Sequence, residues 1–298
     1  MFVAVGTIII DDIVTGDGRA LPGILGGAAT HAAAGMRVWT KDVGLIGSVG
    51  DNFPNELWTA LQQMGFDLRS VRRFPHATPR AWQIYDAREH RTEIFQSPRS
   101  EFPTFAPTPD QVIAYPDAQG FHLMTAELDG VAPVFAAMRT VPGALILWEP
   151  APWHLVADQR TRVLDLIGSV DIVSPNAEEC TAMLGSQPPD RWIATFLEAG
   201  AKLVSIRMGR EGSLVRSRED PAPRHVAAIW LGPPADVTGA GNAYCGGLLV
   251  GYHRTHSSVA AGVHGAISAA ITLQHLGVPT ISGQIEAEAR RLLESYRP

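Results

Sequence analysis

Cysteine is nearly absent from this chain. Cys180 and Cys245 are the only thiols in 298 residues, far apart and outside any Cys-x-x-Cys pair. Neither a disulfide framework nor a zinc site is indicated, and a reducing cytoplasm is the default setting. A Gly-Lys step is missing altogether, which excludes a Walker loop, because that loop needs Gly-x-x-x-x-Gly-Lys before Ser or Thr. Gly6 is followed by Thr7-Ile8-Ile9, so the first strand carries no dinucleotide fingerprint either. No apolar run approaches the roughly 20 residues of a membrane-spanning helix. Met1 to Ile10 is apolar but has no basic leader and runs straight into Asp11 and Asp12, which reads as a buried strand and not as a signal peptide. Positive charge is also scarce: a net charge of -6, a pI near 5.9 and scattered basic residues argue against nucleic acid as a partner.

What is present is 46% apolar and 18% charged residues, the balance of a soluble globular enzyme. The whole span 1–298 reads as one α/β domain. Buried strands are expected at Phe2–Ile10, Val43–Ser48, Gly120–Met124, Ala144–Trp148, Ile172–Ser174 and Leu203–Arg207. Helices are expected between them at Ala28–Ala34, Asn55–Met64, Val131–Arg139, Asp158–Ile167, Ala177–Leu184 and Arg191–Ala199. This rhythm predicts a mostly parallel sheet covered on both faces.

Two segments break the rhythm. Residues 13–24 and 77–95 read as twisted ribbons, the second folded about a turn at Asp86–Arg91, and together they make a small β lid over one end of the sheet. Trp82 and Tyr85 on that lid could stack on a ligand, although alternate aromatics on a ribbon more often serve packing. Pro98–Pro116 reads as a connector. Ala243–Leu276, rich in Ala and Gly, reads as closely packed helices. His253 and His256 are spaced for a metal on a helix, but without a third ligand they read as solvent-facing.

The most informative stretch is Asp236-Val237-Thr238-Gly239-Ala240-Gly241-Asn242. Small residues opening an apolar helix let the backbone approach a ligand, and the unpaired N–H groups and macrodipole of the first turn favour an anion there. A close helix crossing would need small residues as well. Asn242 stands where a phosphoryl-transfer enzyme would want a carboxylate to receive the proton of an attacking hydroxyl. An amide cannot take that proton.

Several motifs recur in an ordered array: Gly6 with Asp11, Gly26-Gly27-Ala28-Ala29, Gly44 to Asp51, Asn176-Ala177-Glu178-Glu179, Gly209-Arg210-Glu211-Gly212, and Asp236 to Asn242. In this order and spacing the chain resembles the PfkB (ribokinase-like) family of carbohydrate and nucleoside kinases over nearly its full length. The resemblance implies a ribokinase-like three-layer α/β sandwich with a mostly parallel central sheet and a small β lid. It implies ATP as donor, Mg²⁺ as cofactor, a small-molecule polyol or nucleoside as acceptor, and in some members a homodimer.

The resemblance also assigns residues. Asp11, Gly26 and Gly27 match positions that bind the acceptor, and His31 stands where an Asn is usual. Asn176 and Glu179 match the element that organises Mg²⁺-bound water. Arg207, Gly209 and Gly212 lie where nucleotide is contacted, and Asp236 matches an acid often close to a monovalent cation. Gly239, Ala240 and Gly241 match the anion hole, and Asn242 occupies the position of the catalytic base, normally Asp. Two outcomes follow: a kinase of reduced turnover, or a pseudokinase that binds nucleotide or polyol as a sensor or partner protein.

Overall fold

The structure, a computed structural model, describes residues 1–86, 91–124 and 127–296. In chain order its strands are β1 (Phe2–Gly6), β2 (Ile9–Val14), β3 (Ala20–Gly26), β4 (Val43–Gly50), β5 (Asp67–Phe74), β6 (Arg80–Tyr85), β7 (Arg91–Phe95), β8 (Gly120–Met124), β9 (Leu145–Trp148), β10 (Ile172–Val173), β11 (Leu203–Arg207), β12 (Ser213–Ser217) and β13 (Arg224–Val226). The helices are α1 (Ala28–Arg37), α2 (Asn55–Gln63), α3 (Pro109–Ile113), α4 (Val131–Arg139), α5 (Arg160–Ile167), α6 (Ala177–Leu184), α7 (Pro189–Glu198), α8 (Ala240–Thr255), α9 (Ser258–Thr272) and α10 (Gly283–Ser295).

The central sheet has nine strands in the order β13-β12-β11-β10-β9-β8-β1-β4-β5. It is parallel except where β12 and β13 extend one edge antiparallel. Successive residues of β1 show why three layers form. Phe2 and Ala4 enter the apolar cluster shared with α1, α8 and α9, while Val3 and Val5 enter the cluster shared with α4 and α7. A strand buried on both faces must be apolar at every position, as this one is.

The expected first strand, Phe2–Ile10, is divided in two. Gly6 has φ 151°, and a Cβ there would collide with the Met124 carbonyl of the neighbouring strand. The chain leaves the sheet at that point and pairs again as β2 in a separate four-stranded sheet, β3-β2-β6-β7. This lid therefore begins at Ile9 rather than at 13, because an unbroken Ile run gives no sign of a change of sheet. The turn expected at Asp86–Arg91 falls on residues 87–90, outside the described residues. Pro98–Pro116 is no bare connector: it holds a 3₁₀ turn at Arg99–Phe105 and the short α3. Pro109 sits in the first turn of α3, where no N–H is needed, and Thr108 and Gln111 cap it reciprocally.

The Ala/Gly-rich third forms α8 and α9, packed closely on each other and on α1. A Cβ on Gly246 would strike the Ala32 carbonyl of α1, and one on Gly251 would strike His264 of α9. Among the described residues no helix is long and apolar enough to cross a membrane. The ends of β1, β8, β9, β10 and β11 face the lid, the edge at which α/β sheets hold ligands.

Candidate active site

The turn before α8 meets the buried His31 and the mostly buried Arg207. Gly239 caps the helix with φ 73°, and a Cβ there would collide with the His31 ring, while a Cβ on Gly241 would collide with Arg207 Nη1. The helix crossing is made further along, at Gly246 and Gly251, so these two glycines clear space for side chains at the cavity. That cavity, about 230 Å³, is lined by Asp11, His31, Glu149, Asn176, Arg207 and Asn242 among others. An adjoining apolar cavity of about 630 Å³ is lined by Gly209, Gly212, Ile229, Trp230 and Leu273 and shares Arg207, Val237 and Gly241 with the first.

The two adjacent acids of β2 have separate tasks. Asp11 is buried, accepts a hydrogen bond from Gln83 Nε2 at 2.9 Å, and presses so close to Gly26 that no side chain fits there. Burial pushes its carboxyl up to about 7 against the effect of the Gln83 bond, and Glu93 pushes in the same direction as burial. Asp12 faces away and holds the lid. It accepts Arg80 Nε at 2.6 Å, Arg80 Nη2 at 2.5 Å, Gln96 Nε2 at 2.7 Å and the Gly23 N–H at 2.9 Å. Gly27 opens α1 with φ 110°, crowded by the Thr7 carbonyl. His31 is buried one turn on, with Nδ1 2.9 Å from the Gly27 carbonyl and Nε2 unpartnered. Burial lowers its pKa and so favours the neutral imidazole.

Asn176 and Glu179 form a capping box at the start of α6: Asn176 Oδ1 accepts the Glu179 N–H at 2.8 Å, and Glu179 Oε2 accepts the Asn176 N–H at 2.7 Å. Both also line the smaller cavity. Burial raises the Glu179 carboxyl, opposed by Arg207. A carboxylate with one oxygen beyond its capping bond, in a cavity that the start of α8 also lines, is the oxygen-donor chemistry that a hydrated Mg²⁺ accepts. Asp236 is occupied differently. Its Oδ1 accepts the Thr238 N–H at 2.8 Å and the Tyr85 hydroxyl at 2.5 Å, and its Oδ2 accepts the Gly277 N–H at 3.0 Å. Those donors fix the carboxylate between the lid, the turn before α8 and the segment after α9.

For the lid aromatics the alternative of stacking on a ligand falls away, and one histidine is placed differently from the expectation. Neither Trp82 nor Tyr85 lines the smaller cavity; Phe95, Phe102 and Trp153 do. Tyr85 is committed to Asp236, and Trp82 projects from the opposite lid face to Gln83. His253 stands edge-on to Phe2 with ring centroids 5.2 Å apart instead of facing solvent, while His256 is exposed and ends α8 in the left-handed region.

Glu149, at the end of β9, was not singled out by the sequence. Its Oε2 lies 2.9 Å from Asn242 Nδ2 and 3.0 Å from His122 Nε2, and its Oε1 lies 2.8 Å from Arg207 Nη2. Burial pushes this carboxyl up, but Arg207 and the hydrogen bonds prevail and hold it down at about 2. The available signal was its place: an acid followed by Pro150 directly after the apolar run Leu145–Trp148 marks the ligand edge of a parallel strand.

The fold defines the class, a mostly parallel α/β sandwich of the ribokinase type with a small β lid. The profile of the pfkB family carbohydrate kinases matches residues 23–282, and the chain belongs to that family. A cytidine kinase of Thermococcus kodakarensis is 27% identical over 254 residues, 85% of this chain and 88% of the other. A ribokinase II candidate of E. coli, solved with ATP and Mg²⁺, superposes with a TM-score of 0.80 at 20% identity over 99% of each chain. The adenosine kinase of Sinorhizobium meliloti also gives 0.80 at 20% identity, over 97% of this chain and 98% of the other.

Proposed function

We propose that this protein is an ATP-dependent kinase that transfers a phosphoryl group to a hydroxyl of a sugar, nucleoside or related polyol. The observation that carries the reading is the junction of the two cavities at Arg207, Val237 and Gly241, at the N-terminus of α8. The apolar cavity suits a nucleobase of the donor, with its phosphates meeting the amides of Gly239 to Gly241. The smaller cavity suits the acceptor: ionised Asp11 accepts two hydrogen bonds from a diol, and Phe95, Phe102 and Trp153 give it an aromatic wall. That wall and the cytidine kinase relative favour a nucleoside.

Glu179 and Asn176 would hold Mg²⁺ through water. When bound, the ion screens phosphate charge as the donor approaches. Arg207 places a guanidinium beside Gly241, where negative charge collects during transfer. The lid excludes water, and Asp11 orients the acceptor. A base at position 242 would contribute roughly 10²- to 10⁴-fold, so turnover is slow without a substitute. Asn242 also favours a second reading, a nucleotide- and polyol-binding pseudokinase.

Acceptor-dependent ADP release, measured with ATP, Mg²⁺ and a panel of nucleosides and sugars, separates the two. Turnover with at least one acceptor is the expected result. Bound nucleotide with no transfer to any member of the panel would leave the binding-protein reading.

A further inference from the structure

Glu149 is a buried acid just past the end of β9. Its side chain is only 7% exposed, and burying a carboxylate is costly where an apolar residue would fill the same space. Yet three polar side chains from three different elements converge on it: His122 from β8, Arg207 from β11 and Asn242 from α8. The contact with Asn242 is the informative one. An amide has one acceptor and one donor group on a single plane. With Nδ2 committed to Glu149, Oδ1 cannot address the same carboxylate and is left for the cavity that Asn242 lines.

We propose that Glu149 is the positioning carboxylate of the transfer step, standing in on β9 for the acid that α8 lacks at residue 242. It acts through Asn242, fixing the amide so that Oδ1 receives the hydrogen bond of the attacking hydroxyl and aims its lone pair at phosphorus. It also holds Arg207 against Gly241, so the negative charge that orients the acceptor and the positive charge that meets the phosphoryl group are set by one side chain. This inference rests on the kinase reading.

In the step, the acceptor oxygen bonds to the γ-phosphorus. The bond from that phosphorus to the bridging oxygen breaks, with its electron pair leaving on ADP. The hydroxyl proton passes to a non-bridging oxygen of the transferred group and then to water. Proton loss that is late in a loose transition state makes this route workable without a titrating base. Arg207 keeps Glu149 charged at any physiological pH, which suits a fixed orienting charge.

The test is a cycle of full-length proteins: the parent, Glu149→Gln, Asn242→Asp, and the double variant carrying both. Each is assayed for kcat, for KM of ATP and acceptor, and for Tm. Glu149→Gln should lower kcat roughly 10²-fold, in line with loss of one preorganised polar group, with KM for ATP little changed. Asn242→Asp alone should also lower kcat, because it sets two carboxylates within hydrogen-bonding reach. The double variant restores one acid and one amide with their positions exchanged, and should recover to within about ten-fold of the parent.

A Glu149→Gln protein with parental kcat overturns the proposal, as does a double variant whose loss is the product of the two single losses. If Glu149→Gln does not fold, the double variant, which keeps one carboxylate in the 149–242 pair, decides alone: recovery supports the exchange and collapse overturns it. A parent that binds nucleotide and transfers to no acceptor fails the kinase reading itself, an outcome distinct from an active parent indifferent to Glu149.

Discussion

At the scale of single residues the site is governed by three acids in unlike surroundings. Asp11 is held near neutrality by burial, Glu149 is held ionised by Arg207, and Glu179 is shared between a helix cap and the cavity. Asp11→Asn should raise KM for the acceptor by about 10-fold or more, the cost of a charged hydrogen bond near 1.5–3 kcal/mol, with KM for ATP unchanged in steady-state assays. In the parent, acceptor affinity should improve as pH rises through about 7, where Asp11 becomes ionised, and the variant should show a flat profile. Gly241→Ala tests the other side of the cavity: the new methyl group must displace Arg207, so kcat should fall while α8 stays folded by circular dichroism.

Asp11 and the Asn-x-x-Glu element were singled out through the ordered motifs of the family resemblance, and the Gly-rich turn through its small residues before an apolar helix; the structure brings all of them to one cavity. Glu149 was not legible, since its meaning comes from three partners distant in the chain. His31 was legible as a departure. Its position against Gly239 was not, because an imidazole in an Ala-rich helix shows nothing of what packs over it.

At the scale of elements one polar latch holds the strands of the lid together and a second ties the lid to the body. Asp12 binds Arg80 through two hydrogen bonds, and Tyr85 reaches across to Asp236 and Thr238. Arg80→Ala leaves the buried Asp12 with only Gln96 and the Gly23 N–H. We expect it to cost about 1–3 kcal/mol, below the full value for a buried pair because Arg80 is partly exposed, as read from urea unfolding. Amide exchange should then quicken in β2, β3 and β6 before it does so in the central sheet. The parallel strands were readable as apolar runs bounded by turns. β5, β12, β13 and α10 were missed: the strands are short or carry several charged residues, and α10 buries only Ala289 fully. Helix and sheet signals weaken where one face is wet.

At the scale of the whole molecule, stability should depend on pH through the same acids. The folded chain keeps a proton on Asp11 that the unfolded chain releases near 3.8. The contribution of this group is therefore complete below about pH 4 and is lost as pH rises through about 7. Glu149 has the opposite sign: its contribution is complete above 4.5 and is lost as pH falls through about 2. Chemical denaturation from pH 4 to 8 should show Asp11→Asn removing part of the decline toward pH 8 and changing little at pH 4. The packing of α8 on α1 and α9 tolerates less. Gly246→Ala should destabilise by about 1–3 kcal/mol, as overpacking of a close crossing does, with Tm as the measure.

The two thiols that the sequence so conspicuously rations are both buried, and burial pushes both well above the ordinary thiol range. Cys180 follows Glu179 directly in α6, and Cys245 lies below Asn242 in α8, with its Sγ within 4.8 Å of a Glu149 oxygen. The molecule thus carries two built-in clocks beneath two of its three site acids, Glu179 and Glu149, and no other thiol to confuse them. Maleimide labelling should be slow in the resting protein, slower with ATP and Mg²⁺, and assignable by peptide mass to the donor side or the acceptor side, so the rate at which each half opens can be timed without adding a probe.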